Sequence, residues 1–483
     1  MILKNKFLLL FTSFATGIVL MVLEMVGSRM LAPYFGNSVY VWGNLIGVVM
    51  FSMAIGYFVG GKVADRFFSW KLLFFVILFA SLWVLMTIFF YKTLLSTLVD
   101  LGVVFGSMLS VVVLFSIPMC LLSFVSPYIT KFISDDKNVG FSAGLVSSIF
   151  TIGSIFGVYL AVFVLIPVFG VRNSLIISFL FMLLISILGL VLDNWKFIIL
   201  ALLSLSLLLI PDYFLAESII FEKESLYNHV VVKEKDGILG LFLNKDKVIH
   251  SLNYEKGLYP NNYYKAFSLL PLLTEVKDLL ILGMGAGTSV NQFEFYYPEI
   301  RIDAVEIDGG VIGVGEEYFG IKSSDKLQIF EEDARLFLWN TDKKYNAIEI
   351  DLFQGSFYIP FYTATAEFFE LVYGSLENGG VIAMNVIDSS SDRKLLNSIE
   401  NTVLTVFPSV FEIDFNKNFV VFAFKGNISI EELERMLKSD NIDLQNFIDM
   451  FEFIKVDKST EGVIFTDDYA PVEKLSKEML EFI

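Results

Sequence analysis

The first 211 residues are an almost unbroken apolar sequence, and this stretch limits what the chain can fold into more than any other feature. It carries eleven Lys or Arg and six Asp or Glu, whereas residues 212–483 carry 24 and 46. The formal charges are therefore +5 for the first part and −22 for the second. Apolar surface on this scale is stable inside a bilayer and not in water. The sequence thus predicts a membrane-embedded part and a water-facing part that meet at Pro211 and Asp212.

Seven segments of the apolar part are candidates for membrane-spanning helices. A helix needs about 20 apolar residues to cross the hydrocarbon core of a bilayer, because each residue adds about 1.5 Å. Segments near this length lie at 7–26, 41–60, 72–91, 101–123, 142–169, 174–192 and 196–211. Residues 1–211 are therefore predicted to form an α-helical transmembrane bundle of about seven spans. Such a chain is a multi-pass protein of the cell membrane, and the lipid bilayer is its first partner.

The C-terminal part shows the alternation of strands and helices that is typical of an α/β fold. Apolar strands are predicted at 279–282, 302–307, 327–330, 346–351 and 381–386, with helical patterns between them. This rhythm indicates a doubly wound parallel sheet, so residues 258–483 are predicted to form a Rossmann-like domain. Shorter β-like runs between 219 and 252 alternate with turns. They predict a small antiparallel sheet in a subdomain over 212–257.

A glycine-rich turn follows the first strand of the predicted parallel sheet. Gly283, Gly285 and Gly287 alternate with other residues in the run GMGAG, and backbone amides at such glycines can approach a ligand closely. The dinucleotide fingerprint would place its third glycine at position 288, which is Thr288. Nicotinamide or flavin binding is therefore disfavoured, and another nucleoside is favoured.

Two acidic positions at the ends of later strands narrow the choice of nucleoside. Glu306 comes nineteen residues after Gly287, where a carboxylate can accept both ribose hydroxyl protons. Asp333 and Ala334 follow the third strand, where an adenine amino group can be received. Together with the glycine turn, these positions predict that S-adenosylmethionine or a relative is bound.

Composition excludes several other functions for the C-terminal part. Its negative charge argues against nucleic acid, which requires a basic surface, and favours a small cationic substrate. The single cysteine, Cys120, lies in the fourth predicted span, so no disulfide can form within one chain. His229 and His250 are the only histidines, and no spacing of ligands predicts a metal site.

A longer series of motifs relates the C-terminal part to a known family. They lie at 225–230, 249–251, 263–264, 283–287, 305–308, 332–335, 350–351, 365–369 and 465–473. At these positions the chain resembles the spermidine synthase (polyamine aminopropyltransferase) family, specifically its membrane-fused bacterial members. The resemblance covers about residues 220–475 and implies the Rossmann-like fold shared by class I methyltransferases and spermidine synthases, with a small N-terminal sheet. A homodimer is one oligomeric state that this prediction allows.

The resemblance also implies a reaction and a set of site residues. In the family an amine attacks the aminopropyl group of decarboxylated S-adenosylmethionine and releases methylthioadenosine, so the sulfonium is a co-substrate and no cofactor is bound permanently. Asp351 matches the carboxylate that holds and deprotonates the amine. Glu306 matches the ribose contact, and Asp333 and Ala334 match the adenine contact. Positions at the substrate end are Tyr227, His250, Tyr264 and Gln354.

The chain departs from the family pattern at the amine end of the site. The family's glycine loop carries an aspartate where this chain has Ala286, and a second aspartate after the fourth strand is replaced by Gln354. The tyrosine and glutamine of the small sheet appear as Tyr227 and Asn228. Because a buried ammonium group needs carboxylate partners, the nucleoside end is better supported than the amine end.

Two other functions stay open for the sequence. The first is an S-adenosylmethionine-dependent methyltransferase or a sulfonium lyase that acts on another substrate, which the missing carboxylates favour. The second is a polyamine transporter or sensor with a ligand-binding soluble domain. It is favoured by the run 60–66, GGKVADR, which resembles a loop of major facilitator transporters.

The distribution of basic residues predicts the orientation of the bundle. Eight Lys or Arg fall on the side of the N-terminus and three on the other side, so the N-terminus is predicted to be cytoplasmic. Seven spans would place the catalytic domain outside, although adenosyl sulfonium compounds are made in the cytosol. We therefore expect segment 196–211 to lie in the interface or to re-enter, which leaves the catalytic domain cytoplasmic.

Overall fold

The computed structural model describes residues 2–36, 38–134, 138–192, 194–206, 219–235, 237–244, 249–254, 259–353 and 358–480. The chain divides into two compact units, Met1–Ala216 and Glu217–Ile483. The predicted domain boundaries at 211 and 257 both lie outside the described residues.

The N-terminal unit is built from apolar helices. Its α-helices are α1 (Ile2–Phe35), α2 (Val39–Arg66), α3 (Trp70–Leu98), α4 (Gly102–Ile133), α5 (Val139–Leu160), α6 (Gly170–Val191) and α7 (Ile198–Ser206). A 3₁₀ turn at Val99–Leu101 joins α3 to α4, and a π-helical segment at Ala161–Phe169 joins α5 to α6.

The number of membrane-spanning stretches differs from the prediction. Among the described residues, four continuous helical stretches are long and apolar enough to cross a membrane, so about seven spans are not confirmed. These stretches are Lys6–Phe35, Val39–Arg66, Trp70–Ile133 and Val139–Val191. The difference arises because the helix continues from the third predicted span into the fourth and from the fifth into the sixth, and because the described part of the seventh, Trp195–Ser206, is too short to cross a membrane. Each pair runs through a single glycine with positive φ, Gly102 at +77° and Gly170 at +75°.

Glycines bring the helices of the N-terminal unit close together. A Cβ added to Gly153 of α5 would lie 2.1 Å from the backbone oxygen of Phe14 in α1. A Cβ added to Gly56 of α2 would lie 2.2 Å from the backbone oxygen of Cys120 in α4. Small residues at such crossings allow close van der Waals packing, which is the main source of helix association in a bilayer.

The C-terminal unit begins with the predicted antiparallel sheet. Its strands are β1 (Ile219–Glu224), β2 (His229–Lys235), β3 (Ile238–Leu243) and β4 (Ile249–Asn253), paired in the order β1-β2-β3-β4. Val230 and Val232 belong to the core of the C-terminal unit, and Val231 between them is also buried, so the middle of β2 is covered on both faces.

The predicted Rossmann-like domain follows, and its strands alternate with helices. The elements are α8 (Tyr263–Phe267), α9 (Leu270–Leu273), β5 (Asp278–Leu282), α10 (Thr288–Tyr296), β6 (Arg301–Glu306), α11 (Gly309–Tyr318), β7 (Leu327–Glu331), α12 (Ala334–Asn340), β8 (Tyr345–Ile350), α13 (Ala366–Ser375), β9 (Leu376–Ile387), α14 (Lys394–Val403), β10 (Ser409–Asp414), β11 (Asn418–Phe424), α15 (Ile430–Met436), α16 (Ile442–Ile448), β12 (Ile454–Lys455) and α17 (Val472–Leu480).

The order of the strands fixes where a ligand can bind. The eight-stranded sheet has the order β12-β10-β11-β9-β8-β5-β6-β7. Strands β9, β8, β5, β6 and β7 are parallel, and β11, β10 and β12 add antiparallel neighbours. The chain proceeds from β5 to β6 in one direction and continues at β8 on the other side of β5. Ligands of open α/β sheets bind at the carboxyl ends of the strands at such a switch point.

Candidate active site

A cleft lies at the carboxyl ends of the central parallel strands. It contains about 1210 Å³ of empty space, including the part that is open to solvent. Its walls include every predicted site residue that the structure describes, except Gly287. These residues are Tyr227, His250, Tyr264, Gly283, Gly285, Glu306, Asp333, Ala334 and Asp351. The last predicted site residue, Gln354, lies outside the described residues.

The glycine loop between β5 and α10 approaches its neighbours too closely for side chains. Gly283 has a φ of +89°, and a Cβ there would lie 2.2 Å from the backbone oxygen of Asp351. Gly287 has a φ of +94°, and its Cβ would lie 2.4 Å from the side chain of Ile321. Gly283 therefore shapes the wall of the cleft, whereas Gly287 packs against the polypeptide behind it.

Glu306 is the last residue of β6, and its side chain faces the glycine loop. Its Oε2 accepts a hydrogen bond from the Gly285 amide at 2.9 Å, and its Oε1 accepts one from the Asp308 amide at 3.0 Å. Burial raises the pKa of Glu306 to about 7, although these amide donors oppose the shift. The carboxylate is thus fixed at the wall of the cleft with the loop held against it.

Asp333 is the N-cap of α12, as its position after a strand allows. Its Oδ1 accepts from the amides of Arg335 and Leu336 at 2.9 and 3.1 Å, and its Oδ2 accepts from the Tyr362 hydroxyl at 3.0 Å. Arg335 in turn forms an ion pair with Asp467, at 2.6 Å. The C-terminal motif that contains Asp467 therefore supports the start of the helix at which Asp333 and Ala334 line the cleft.

Asp351 follows β8 directly and faces the opposite part of the cleft from Asp333. Its amide donates to the backbone oxygen of Leu282 at 2.9 Å, and its Oδ1 accepts from the Asn385 side-chain amide at 2.8 Å. Burial raises the pKa of Asp351 to about 7, and the bond from Asn385 opposes that rise. A carboxylate with this pKa can accept a proton near neutral pH.

The small sheet and α8 supply the remaining wall. The Tyr264 hydroxyl donates to the backbone oxygen of His250 at 2.9 Å, and its ring lies 4.0 Å from that of Tyr263. Burial lowers the pKa of His250 to about 4, so the imidazole is neutral at pH 7. Tyr227 lies at the mouth of the cleft, where its amide donates to Ser225 Oγ at 3.1 Å.

Several polar residues at the cleft were missed by the sequence-based predictions. Ser251 Oγ accepts from the Ala286 amide at 2.9 Å, and Thr288 Oγ1 accepts from the Leu252 amide at 2.8 Å. Both contacts join the small sheet to the glycine loop. Asn385, buried in β9, lines the cleft, and Glu349, buried in β8, lies behind its wall; the only signal of either in the sequence is a polar residue inside an otherwise apolar strand.

Comparisons with known proteins give matches over the C-terminal part of the chain. Residues 262–417 match the spermine/spermidine synthase domain. A probable polyamine aminopropyl transferase of Bifidobacterium longum is 30% identical over 285 residues, which cover 54% of this chain and 63% of that relative. A polyamine aminopropyltransferase of Vibrio vulnificus is 26% identical over 278 residues, or 53% of this chain and 91% of the relative.

One solved structure illustrates the same similarity over the C-terminal part. A probable spermidine synthase from Corynebacterium glutamicum is 20% identical, with a TM-score of 0.40, and covers 49% of this chain and 90% of its own. The domain match and the curated relatives agree in naming aminopropyl-transferring enzymes. Residues 262–417 thus match a spermine/spermidine synthase domain, and the C-terminal part of the chain is similar to polyamine aminopropyltransferases, which are transferases.

Proposed function

We propose that this protein is a membrane-anchored aminopropyltransferase that uses decarboxylated S-adenosylmethionine and an amine and releases methylthioadenosine. One observation carries the proposal: a single cleft joins an adenosine-type set of acceptors to a buried carboxylate with a pKa of about 7, Asp351. The names of the relatives support the same reaction class.

The nucleoside end of the cleft suits an adenosyl group. Glu306 is fixed at the end of β6, where its carboxylate would receive the ribose hydroxyls. Asp333 and Ala334 at the start of α12 would contact the adenine, with Tyr362 beside them. With the adenosine so placed, the aminopropyl chain of the sulfonium would extend towards Asp351.

The chemistry at Asp351 is a displacement at carbon. The lone pair of a neutral amine attacks the aminopropyl carbon that is bonded to the sulfonium, and a C–N bond forms as the C–S bond breaks. The electron pair of the broken bond stays on sulfur, which leaves as the thioether of methylthioadenosine. The amine nitrogen then loses a proton, and Asp351 is placed to accept it. Orientation of the amine in line with the carbon supplies much of the rate enhancement.

The proposal is tested with the purified full-length protein, decarboxylated S-adenosylmethionine and a series of amines that includes putrescine. We expect methylthioadenosine and the aminopropylated amine in equal amounts. We also expect the matched variant Glu400→Gln, which changes a buried carboxyl outside the cleft, to retain the activity. Failure with every amine, in protein that still binds methylthioadenosine, would overturn the proposal.

The products also separate this reaction from the alternatives. Methyl transfer would leave S-adenosylhomocysteine, and sulfonium cleavage would leave methylthioadenosine without an aminopropylated amine. A transporter would instead show uptake of polyamine into vesicles that survives Asp351→Asn and fails with Glu24→Gln, since Glu24 is buried in α1.

We further propose that the N-terminal unit crosses the membrane six times and that the catalytic domain is cytoplasmic. A straight helix over the 64 residues Trp70–Ile133 would be about 96 Å long, and the hydrocarbon core is only about 30 Å thick. Helices α3 and α4 pack against each other, which favours a hairpin with its turn at Gly102. Length divides Val139–Val191 in the same way, at Gly170, where the π-helical segment Ala161–Phe169 packs against α6.

An even number of crossings removes the conflict between topology and chemistry. The six helices α1 to α6 have between 22 and 34 residues each, enough for one crossing apiece. With the N-terminus inside, the chain that follows α6 is also inside. Protease added to sealed inside-out vesicles should remove the catalytic domain, and protease added to right-side-out vesicles should not. The reverse pattern would contradict six crossings with a cytoplasmic N-terminus.

A further inference from the structure

Glu349 is a buried carboxyl group in the middle of the sheet. It lies in β8 between Ile348 and Ile350, and it is 1% exposed. Its side chain shares a hydrogen bond with Ser289 at the start of α10, while its Oε2 has no hydrogen-bond partner among the described residues. A buried carboxyl group without a full set of hydrogen bonds lowers the stability of the fold, so we expect a function that accounts for it.

The register of the sheet places Glu349 beneath Asp351. Side chains alternate along a strand, so Glu349 and Asp351 point to the same face of the sheet. Glu349 is opposite Ala383 in β9, and two residues later Asn385 lies beside Asp351. Asn385 donates to Asp351 through its Nδ2, and its Oδ1 has no partner among the described residues. Two open acceptors thus lie on the face of the sheet that carries Asp351.

Glu349 does not line the cleft itself but lies directly behind its wall, where Ser289 separates it from the cleft. Ser289, which bonds Glu349, lines the cleft together with Tyr263 and Tyr264. Lys265, which follows Tyr264 in the chain, forms an ion pair with Asp443, whose Oδ1 lies 2.9 Å from its Nζ. Burial, and after it the charge of Asp351, raise the pKa of Glu349 well above its ordinary value. Approach of a cation would favour the ionised carboxylate.

An alkylammonium group matches this set of atoms. It carries a positive charge and three N–H donors and has no acceptor, whereas Glu349, Asn385 and Asp351 offer acceptors. The resemblance to spermidine synthases assigns an amine-binding aspartate to the glycine loop, at the position of Ala286. Glu349 bonds to Ser289 in α10, the helix that begins next to this loop. The carboxylate that the loop lacks is therefore supplied by the neighbouring strand, β8.

We propose that Ser289, at the wall of the cleft, and Glu349, behind it, together hold the ammonium group of a substrate in place of the carboxylate that the loop lacks at Ala286: the Ser289 oxygen accepts from the ammonium group and its hydroxyl donates to the Glu349 carboxylate. The identity of the substrates rests on the proposed function. The ammonium group has two sources, the aminopropyl chain of the sulfonium donor and the acceptor amine. Methylthioadenosine lacks both, which makes it the matched probe for the rest of the site.

Equilibrium binding separates these sources without any turnover. Methylthioadenosine, decarboxylated S-adenosylmethionine and putrescine are titrated into the wild-type protein, Glu349→Gln and Glu400→Gln. We expect Glu349→Gln to lose at least about tenfold in affinity for one of the two cations, since hydrogen bonds to charged groups are strong. The cation that weakens identifies the ammonium group that Ser289 and Glu349 hold. Binding of methylthioadenosine should change less than about twofold, which also shows that the variant is folded.

Glu400→Gln controls for the removal of a buried carboxyl. Glu400 is 5% exposed, has an oxygen without a partner among the described residues, and lies in α14, a helix that contributes no residue to the wall of the cleft. It should change no affinity. Unchanged affinity of Glu349→Gln for both cations, or an equal loss for methylthioadenosine, would overturn the assignment. So would a wild-type protein that binds methylthioadenosine but neither cation. A protein that binds both cations and transfers nothing would overturn the proposed function alone.

Discussion

The two ends of the cleft are built in different ways. At the nucleoside end, Glu306 and Asp333 each bond to backbone amides within two or three residues or to the adjacent glycine loop. At the amine end, Asp351 depends on Asn385, which is 34 residues away in the chain. The nucleoside end is therefore assembled from short local segments, and the amine end is assembled by strand register and helix packing.

This difference offers a physical reason why the departures from the family pattern, such as Ala286 and Gln354, fall at the amine end. A glycine loop and a helix cap are constrained by backbone geometry, because Gly283 and Gly287 have no space for a side chain. The position of a buried acceptor such as Glu349 within a strand is limited only by the side chains against which it packs. We infer that amine recognition can be altered by exchanging carboxylates between elements, while the adenosine contacts stay as they are.

The largest effect is expected from Asp351→Asn. Loss of the proton acceptor should lower the rate of transfer by about 100-fold or more, as general bases contribute 10²–10⁴-fold. Binding of methylthioadenosine should be retained, since the amide keeps the shape of the carboxylate and lies at the other end of the cleft. Rapid-quench measurement of transfer, with binding measured in parallel, tests this separation. Equal losses in rate and in methylthioadenosine affinity would show that the ends are not independent.

Glu306→Gln should have the opposite pattern. The variant keeps the shape of the side chain but replaces one acceptor that bonds to a backbone amide or to a ribose hydroxyl with a donor. Hydrogen bonds to charged groups are worth about 1.5–3 kcal/mol, so methylthioadenosine should bind about ten- to 100-fold more weakly. Calorimetric titration measures this, and affinity for the free amine serves as the control. An unchanged affinity for methylthioadenosine would remove Glu306 from the nucleoside site.

The pH dependence of the reaction tests the environment of Asp351. Burial raises the pKa of Asp351 to about 7, so the carboxyl is protonated and inactive as a base below this pH. kcat/KM should rise with pH through about 7 and follow this ionisation. Asn385→Leu removes a hydrogen bond that lowers the pKa of Asp351, so the midpoint should move upwards. A downward shift, or no shift, would contradict the role given to Asn385.

The smallest effect is expected from Tyr362→Phe. The variant removes one hydrogen bond to Asp333 Oδ2, at 3.0 Å, and leaves both capping bonds to Oδ1. A neutral hydrogen bond contributes about 1 kcal/mol, so methylthioadenosine should bind about fivefold more weakly with little change in the rate of transfer. Titration of the variant beside the wild type checks this. A large loss of rate would place Tyr362 nearer the reacting atoms than its contact with Asp333 indicates.

Residues at strand ends were easier to predict from the sequence than residues inside strands, for a physical reason. Gly283, Glu306 and Asp333 follow strand ends, and parallel strands bring their ends to one edge, so their proximity could be inferred without a structure. Glu349 and Asn385 lie inside strands, and their relation to Asp351 depends on a register that hydropathy does not reveal. The catalytic and binding roles of these residues stay predictions.

In the N-terminal unit, too, the sequence alone was insufficient to predict part of the structure. Hydropathy located the apolar residues correctly but not the ends of the helices. Turns normally interrupt a helix with several polar residues, whereas here the π-helical segment Ala161–Phe169 passes directly into α6 at Gly170, and the polar residues Arg172 and Asn173 lie within the helix. Backbone conformation at a single glycine, with a φ of +75°, therefore decides how the stretch Val139–Val191 is divided.

The independence of the two ends is tested most directly by the double variant Glu349→Gln/Asp351→Asn. Both changes preserve shape and remove the two carboxyl groups of the amine end. We predict that methylthioadenosine binds the double variant within about threefold of the wild-type affinity, while transfer of the aminopropyl group is lost. Loss of methylthioadenosine binding in a folded double variant would contradict the division of the cleft into a nucleoside end and an amine end.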